Sequence, residues 1–279
     1  MASLFVEELT VMDFSYLHAL RGIVGESWIV DIILEGELNN EGMVFDFGLV
    51  KKEIKHAIDE GMDHKFLIPA SIAGLQIVED DEDFRFCFEN VTGMKLCYRS
   101  PREAVYLLEA DRINTETVTP ILEKHLKTIV PANVSNVKVK LRAQEIEGAY
   151  YHYSHGLKKH QGDCQRICHG HRSPIKIFID GKRSGEEEFI IAKQWQDIYL
   201  VTREDVLHQD GIYITLGYEA EQGYFELTLP KASCDFMSGD STVELIAVHL
   251  AEHIKERHPN KKVEVQAYEG YKKGAFANA

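Results

Sequence analysis

Along this chain the spacing of apolar residues changes several times, and the changes mark out its elements. Residues 28–38 (WIVDIILEGEL) alternate well enough for a strand and run into Asn39-Asn40-Glu41-Gly42, a turn composition. From 47 to 58 the period lengthens. Leu49, Val50, Ile54, Ala57 and Ile58 fall at helical spacing with lysines on the other face, and Gly61 follows as a helix stop. Residues 84–99 (FRFCFENVTGMKLCYR) read as two strands around Asn90-Val91-Thr92-Gly93. A second amphipathic helix is expected over 115–129, with Pro120 tolerated in its early turns, and a closing strand over 136–141.

The second half repeats this order. It offers a strand at 175–179, a helix at 186–195, a hairpin over 212–229, a strongly periodic helix over 242–257 and a strand at 263–266. The repetition implies an internal duplication with a period of about 140 residues. No Pro-, Gly- or Ser-rich linker lies between the halves, so Gly148 is expected to pass the chain from a domain 1–148 directly into a domain 149–279, as a rigid pair. Each half should lay an antiparallel sheet under two helices on one face, an α+β arrangement.

Composition narrows the class of protein. The 279 residues carry a formal charge of −14, which disfavours a broad nucleic-acid or anionic-membrane interface but leaves room for a small anionic substrate. Lys51, Lys52, Lys158, Lys159, Arg166 and Arg172 are the local basic groups, each read first as a solvated surface charge. No apolar run approaches the roughly 18 residues of a membrane span, and the N-terminal MASLFVEELTVMDF carries acids where a secretory signal is basic. A soluble cytoplasmic protein is the expectation. The five cysteines are odd in number and irregularly spaced, so reduced thiols are expected, with Cys87, Cys97, Cys168 and Cys234 read as packing groups.

The chemistry concentrates near the start of the second half. His169 and His171 are two apart, so in an extended chain both imidazoles point the same way and can face one metal ion. His155, at the end of a possible strand 150–154, is the natural third ligand, and three protein ligands with an open fourth position suit a zinc ion that does chemistry. Thirteen histidines also make an H-x-H arise by chance. Cys164 stays open between a catalytic thiol, a ligand of a structural Cys/His site and a small apolar group.

At these residues the sequence resembles the 6-pyruvoyl-tetrahydropterin synthase and 6-carboxytetrahydropterin synthase family, as two degenerate tandem copies of its tunnelling fold. In the first half Phe14-Ser-Tyr-Leu-His18, Gly42-Met-Val-Phe-Asp46-Phe47 and Met62-Asp63-His64 resemble the first zinc histidine, the G-M-V-x-D-F segment and the L-D-H catalytic pair. Val24-Gly25-Glu26 stands where H-G-H is expected, and Ala143 where the pterin-anchoring Glu is expected. The second half is complementary. Tyr151 to His155, Cys164 to His171, Asp240-Ser-Thr-Val-Glu244 and Glu269 resemble the zinc, Cys plus H-G-H, N-P-T-x-E and anchor elements, while the L-D-H pair is missing and Asp235, followed by a Phe that cannot relay a proton, is a conceivable remnant. Cys164 stands five residues before His169, one more than the family spacing.

The resemblance implies a composite site, in one chain or between chains of a homo-oligomer. Zinc would sit on His155, His169 and His171, with Cys164 as base, Asp63 and His64 as a proton-relay pair, and Glu269 anchoring a pterin. Thr242 would contact the pterin or simply cap a helix, and Asp46 is read as a helix N-terminal acid. His18, without its partners, is not a ligand. The implied substrate is 7,8-dihydroneopterin triphosphate. The leading reading is a lyase forming 6-carboxy-5,6,7,8-tetrahydropterin for queuosine-type deazapurines. The alternatives are the triphosphate-eliminating 6-pyruvoyl synthase, a catalytically inactive pterin-binding module and a structural zinc protein.

Overall fold

An antiparallel pair of strands lies at the centre of each half, Ala2–His18 with Gly22–Gly36 and Tyr150–His155 with His169–Ile179. The computed structural model describes residues 2–40, 42–44, 46–79 and 83–279. Glu41 of the expected turn and Phe45 of the G-M-V-x-D-F segment lie outside the described residues, as does the side chain of Leu49. The first half runs β1 (Ala2–His18), β2 (Gly22–Gly36), α1 (Phe47–Gly61), β3 (Phe66–Pro69), β4 (Leu75–Glu79), β5 (Phe84–Glu89), β6 (Lys95–Ser100), β7 (Val105–Leu108), α2 (Thr115–Lys127) and β8 (Val134–Ala143). The second runs β9 (Tyr150–His155), β10 (His169–Ile179), β11 (Lys182–Arg183), α3 (Gly185–Gln194), β12 (Ile198–Thr202), β13 (Val206–Gln209), β14 (Tyr213–Ala220), β15 (Gly223–Pro230), β16 (Cys234–Met237), α4 (Val243–Arg257), β17 (Val263–Tyr268) and β18 (Gly274–Asn278).

The expected α+β plan holds in both halves. One sheet has the order β7-β3-β1-β2-β8 and the other β16-β12-β9-β10-β17-β18, with β11 on β10. Their central ladders are antiparallel, and the short strands β3, β7, β12 and β16 add on in parallel. Val50, Ile54 and Ile58 of α1 with Val118, Leu122 and Leu126 of α2 close over Met12, Phe14, Trp28 and Val30. Ile191 of α3 and Ile246, Leu250 and Ile254 of α4 close over Tyr151, Ile175, Ile177 and Val265. Each of these side chains contributes roughly 1.5–3 kcal/mol on full burial, which is what holds helices this short in place. Asp46 caps α1 through Gly48 N, in keeping with its structural reading, and Asn114 and Thr117 form a reciprocal capping box on α2.

Strand β1 escapes the alternation argument for a physical reason. Its outer part alternates, but residues 12–17 are buried on both faces, as is most of β2, because β9 and β10 of the second half stack on the face opposite α1 and α2. The two expected hairpins, 84–99 and 212–229, join one six-stranded sheet of order β13-β14-β15-β6-β5-β4 through pairing of β15 with β6. Its apolar face, with Phe86, Phe88, Tyr98, Ile214, Phe225 and Leu227, packs on Phe66 and Ile68 of one half and Tyr199 and Val201 of the other. This shared core makes the halves one body.

Two of the cysteines are not the reduced packing groups expected of them. Cys87 and Cys97 are joined by a disulfide across β5 and β6 rather than reduced in a core. Phe84, Phe86 and Phe88 take the buried face of β5, so Cys87 between them must face outward, directly opposite Cys97. Cys168 is fully buried among apolar side chains, as expected, and Cys234 packs part-buried at the edge of the same core. Among the described residues no helix is long and apolar enough to cross a membrane.

Candidate active site

Strand register builds the histidine cluster. His169 and His171 project from the same face of β10, and the antiparallel ladder sets His155 of β9 directly opposite His169. All three are buried, and one ligand atom from each lies within 4.8 Å of the others. Their Nδ1 atoms are directed outward. That of His155 meets Ser241 O at 3.0 Å and Ser241 Oγ at 2.9 Å, that of His169 meets Arg166 O at 3.1 Å, and that of His171 stands 3.2 Å from Asp13 Oδ1, obliquely. The three Nε2 atoms are buried without a hydrogen-bond partner. Three orphaned acceptors aimed together fit a metal ion, since a buried imidazole nitrogen is otherwise satisfied. Burial, reinforced by the neighbouring imidazoles, holds His155 and His169 well below the usual histidine pKa, in the neutral form that ligates.

The Asp-His pair comes to this cluster from the first half of the same chain. His64 follows α1 in a left-handed conformation (φ 54°), which turns its ring back beside Asp63; the Nδ1 to Oδ2 distance is 2.7 Å. Its ring centroid lies 5.3 Å from that of His169, and His64, Cys164 and His169 place one ligand atom each within 4.8 Å of one another. Burial opposes protonation of His64, but hydrogen bonds and charge from Asp63 and Cys164 overcome it and push its pKa up to about 11. The extra residue between Cys164 and His169 is absorbed locally, because Asp163–Gln165 forms a 3-10 turn, which advances less per residue than a strand.

Glu269 joins the rim through Lys273, whose Nζ lies 4.0 Å from Glu269 Oε2 and 3.4 Å from Asp13 Oδ2. Thr242 caps α4 by accepting from Leu245 N, so its hydroxyl already has a task. Two residues that sequence reading missed stand at the outer nitrogens of ligands: Ser241 at hydrogen-bond distance from His155 Nδ1, and Asp13 at 3.2 Å from His171 Nδ1, which completes no hydrogen bond. Ser241 was detectable as the neighbour of Thr242; Asp13 had as its signal only an acid in a strand whose neighbours are apolar. Several of the basic groups prove to be engaged. Arg166 pairs with Asp163, Lys158 with Asp205, and Arg172 lies over the Tyr150 ring.

Register also shows what replaced the matching site of the first half. Ser15 pairs with Gly25 as Ser154 pairs with Gly170, so Tyr16, rather than His18, occupies the place of His155, and Glu26 that of His171. His18 instead accepts from Leu20 N and Arg21 N at a turn. Likewise Ser15 pairs with Phe66 as Ser154 pairs with Tyr199, which aligns Asp63-His64 with Gln196-Asp197; Asp197 keeps the positive φ of 60°. Asp235 is therefore not the remnant of the pair. It accepts from Trp195 Nε1 and faces His249. The degenerate site is filled by Arg21, which donates to Asp197 at 2.8 and 2.5 Å.

A tandem pair of like domains, with histidines and a cysteine from one meeting an Asp-His pair from the other, defines the class of protein. The sequence profile of 6-pyruvoyl tetrahydropterin synthase matches the chain twice, over residues 13–145 and 144–278, and the chain belongs to that family of pterin enzymes with the tunnelling fold. A putative 6-carboxy-5,6,7,8-tetrahydropterin synthase of Pyrococcus horikoshii is 22% identical over 130 residues, covering 47% of this chain and 74% of its own. One of Methanocaldococcus jannaschii is 28% identical over 140 residues, covering 48% and 82%. The crystal structure of 6-pyruvoyl tetrahydropterin synthase from Plasmodium vivax aligns with 50% of this chain and 97% of its own, at 20% identity and a TM-score of 0.37.

Proposed function

We propose that this chain is a zinc-dependent lyase acting on 7,8-dihydroneopterin triphosphate, forming 6-carboxy-5,6,7,8-tetrahydropterin in a queuosine-type deazapurine pathway. The observation that carries the reading is the meeting of Asp63 and His64 with Cys164 and the three histidines within one chain. The proposal divides the chain at Gly148 into a domain that keeps the Asp-His pair and one that keeps the metal ligands, in a homo-oligomer whose sites need no partner for these groups. The names of the archaeal relatives favour the carboxy-forming reaction.

His155, His169 and His171 would hold zinc, which when bound supplies Lewis-acid stabilisation of an oxygen that gains negative charge. Glu269 receives the amino and ring N–H groups of the pterin, fixing the ring without reacting. Cys164 removes a proton from the pterin side chain, and His64, held by Asp63 through Nδ1, returns a proton through its other nitrogen. Two groups on two elements can then serve two faces of the same side chain.

The test is turnover of 7,8-dihydroneopterin triphosphate by zinc-loaded protein, with pterin product, acetaldehyde and free triphosphate followed together. Acetaldehyde release that falls at least about 100-fold in both Cys164→Ala and His64→Ala supports the lyase and its two-half site. Triphosphate release without acetaldehyde would assign the pyruvoyl-forming reaction instead. Pterin binding without turnover would leave a binding module.

A further inference from the structure

We infer that Asp13 is a positioning residue for the metal centre, a carboxylate lent by the first half to a histidine of the second. The inference rests on the zinc reading above. Asp13 is 3% exposed, and its Oδ1 stands 3.2 Å from His171 Nδ1. The outer nitrogens of the other two candidate ligands meet groups of their own half, Ser241 and Arg166, whereas that of His171 faces a side chain of the first half. A carboxylate behind a ligating imidazole fixes its tautomer, with Nδ1 protonated and Nε2 free for the ion, and makes that nitrogen a stronger donor.

The rest of Asp13 ties the remaining parts of the site to that imidazole. Its backbone N–H donates to Asp63 Oδ1 at 2.7 Å, and its carbonyl accepts from His64 N at 2.7 Å. Ser27 Oγ donates to Oδ1 at 2.5 Å, and Lys273 Nζ lies 3.4 Å from Oδ2. Gly270, next to Glu269, comes so near that a β-carbon there would lie 2.5 Å from Oδ1. One residue thus touches a zinc ligand, the Asp-His pair and the loop of the pterin anchor. Burying a carboxylate forfeits its hydration, and here it is placed where a metal-bound imidazole would return that interaction.

Zinc affinity, measured by competition with a chromogenic chelator in the absence of pterin, separates this role from catalysis. Asp13→Asn keeps the size and both backbone bonds, and is expected to weaken zinc by about 10–100-fold while the zinc-free protein melts as the wild type does. Ser27→Ala, which frees the carboxylate from one side, should weaken zinc several-fold, and it carries the test if D13N fails to fold. Cobalt-loaded D13N should also show shifted visible bands with three histidines still bound. Wild-type affinity in a folded D13N, or in S27A where D13N does not fold, overturns the role of Asp13 alone. A wild-type protein that binds no zinc overturns the zinc reading and this inference together.

Discussion

Gly25 and Gly170 lie against each other across the two halves: a β-carbon on Gly170 would stand 2.7 Å from Gly25 Cα and 2.7 Å from Ser15 Oγ. Each is the middle residue of matching tripeptides, Val24-Gly25-Glu26 and His169-Gly170-His171. The glycine between two ligands is therefore there for the neighbouring sheet, since a side chain would wedge backbone from backbone. Gly25→Ala is expected to destabilise the protein by about 1–3 kcal/mol and to weaken zinc by withdrawing Asp13 from His171. Thermal unfolding and chelator competition check it; an unchanged melting temperature would mean that the sheets are not in this contact.

Glu26, in the place of a lost ligand, predicts a pH effect. It is 8% exposed, and burial raises its pKa from 4.5 to about 7, only partly opposed by Ser27 N–H, Arg172 and Arg21. A raised folded pKa means that its contribution is fully present below pH 4.5 and is lost as pH climbs through 7. Glu26→Gln should match the wild type below that window and exceed it above, by about 3 kcal/mol. Urea unfolding across the window decides it; a difference that does not grow with pH would remove the explanation.

His64 predicts a second slope in zinc-free protein. Its pKa is raised from 6.5 to about 11 by Asp63 and Cys164 against the opposing effect of burial, so the stability it adds is complete below 6.5 and disappears toward 11. Melting temperature should fall through that range more steeply in the wild type than in His64→Asn. Parallel curves would show that the imidazolium does not form with Asp63 and Cys164.

The disulfide gives a count. Unfolded protein should titrate three thiols before reduction and five after, because Cys164, Cys168 and Cys234 are free. Closing a loop over a sequence separation of 10 contributes at most about 3 kcal/mol, and Cys87 lies on the face of β5 away from the apolar core of its sheet. Cys87→Ser with Cys97→Ser is thus expected to lower the melting temperature modestly and to leave zinc affinity as it was. Five thiols without reductant would refute the bond.

What the sequence alone determined here is whatever depends on near neighbours in the chain. Helical spacing over 47–58 and 242–257, strand alternation over 84–99 and the two-residue step of His169 and His171 are local, and the repeated order of elements shows the duplication without any structure. Side-chain direction in a strand is also local, which is why three histidines on two adjoining strands could be gathered in advance. Contacts between distant segments were decided by the tertiary structure. The stacking of β1 and β2 on β9 and β10 buried a strand that no alternation announced, brought Asp63 and His64 to Cys164, and set Asp13 behind His171. The register of strand pairs moved the lost ligand position from His18 to Tyr16 and the lost relay from Asp235 to Asp197, because a ladder of hydrogen bonds, unlike a motif, fixes which residues stand opposite each other.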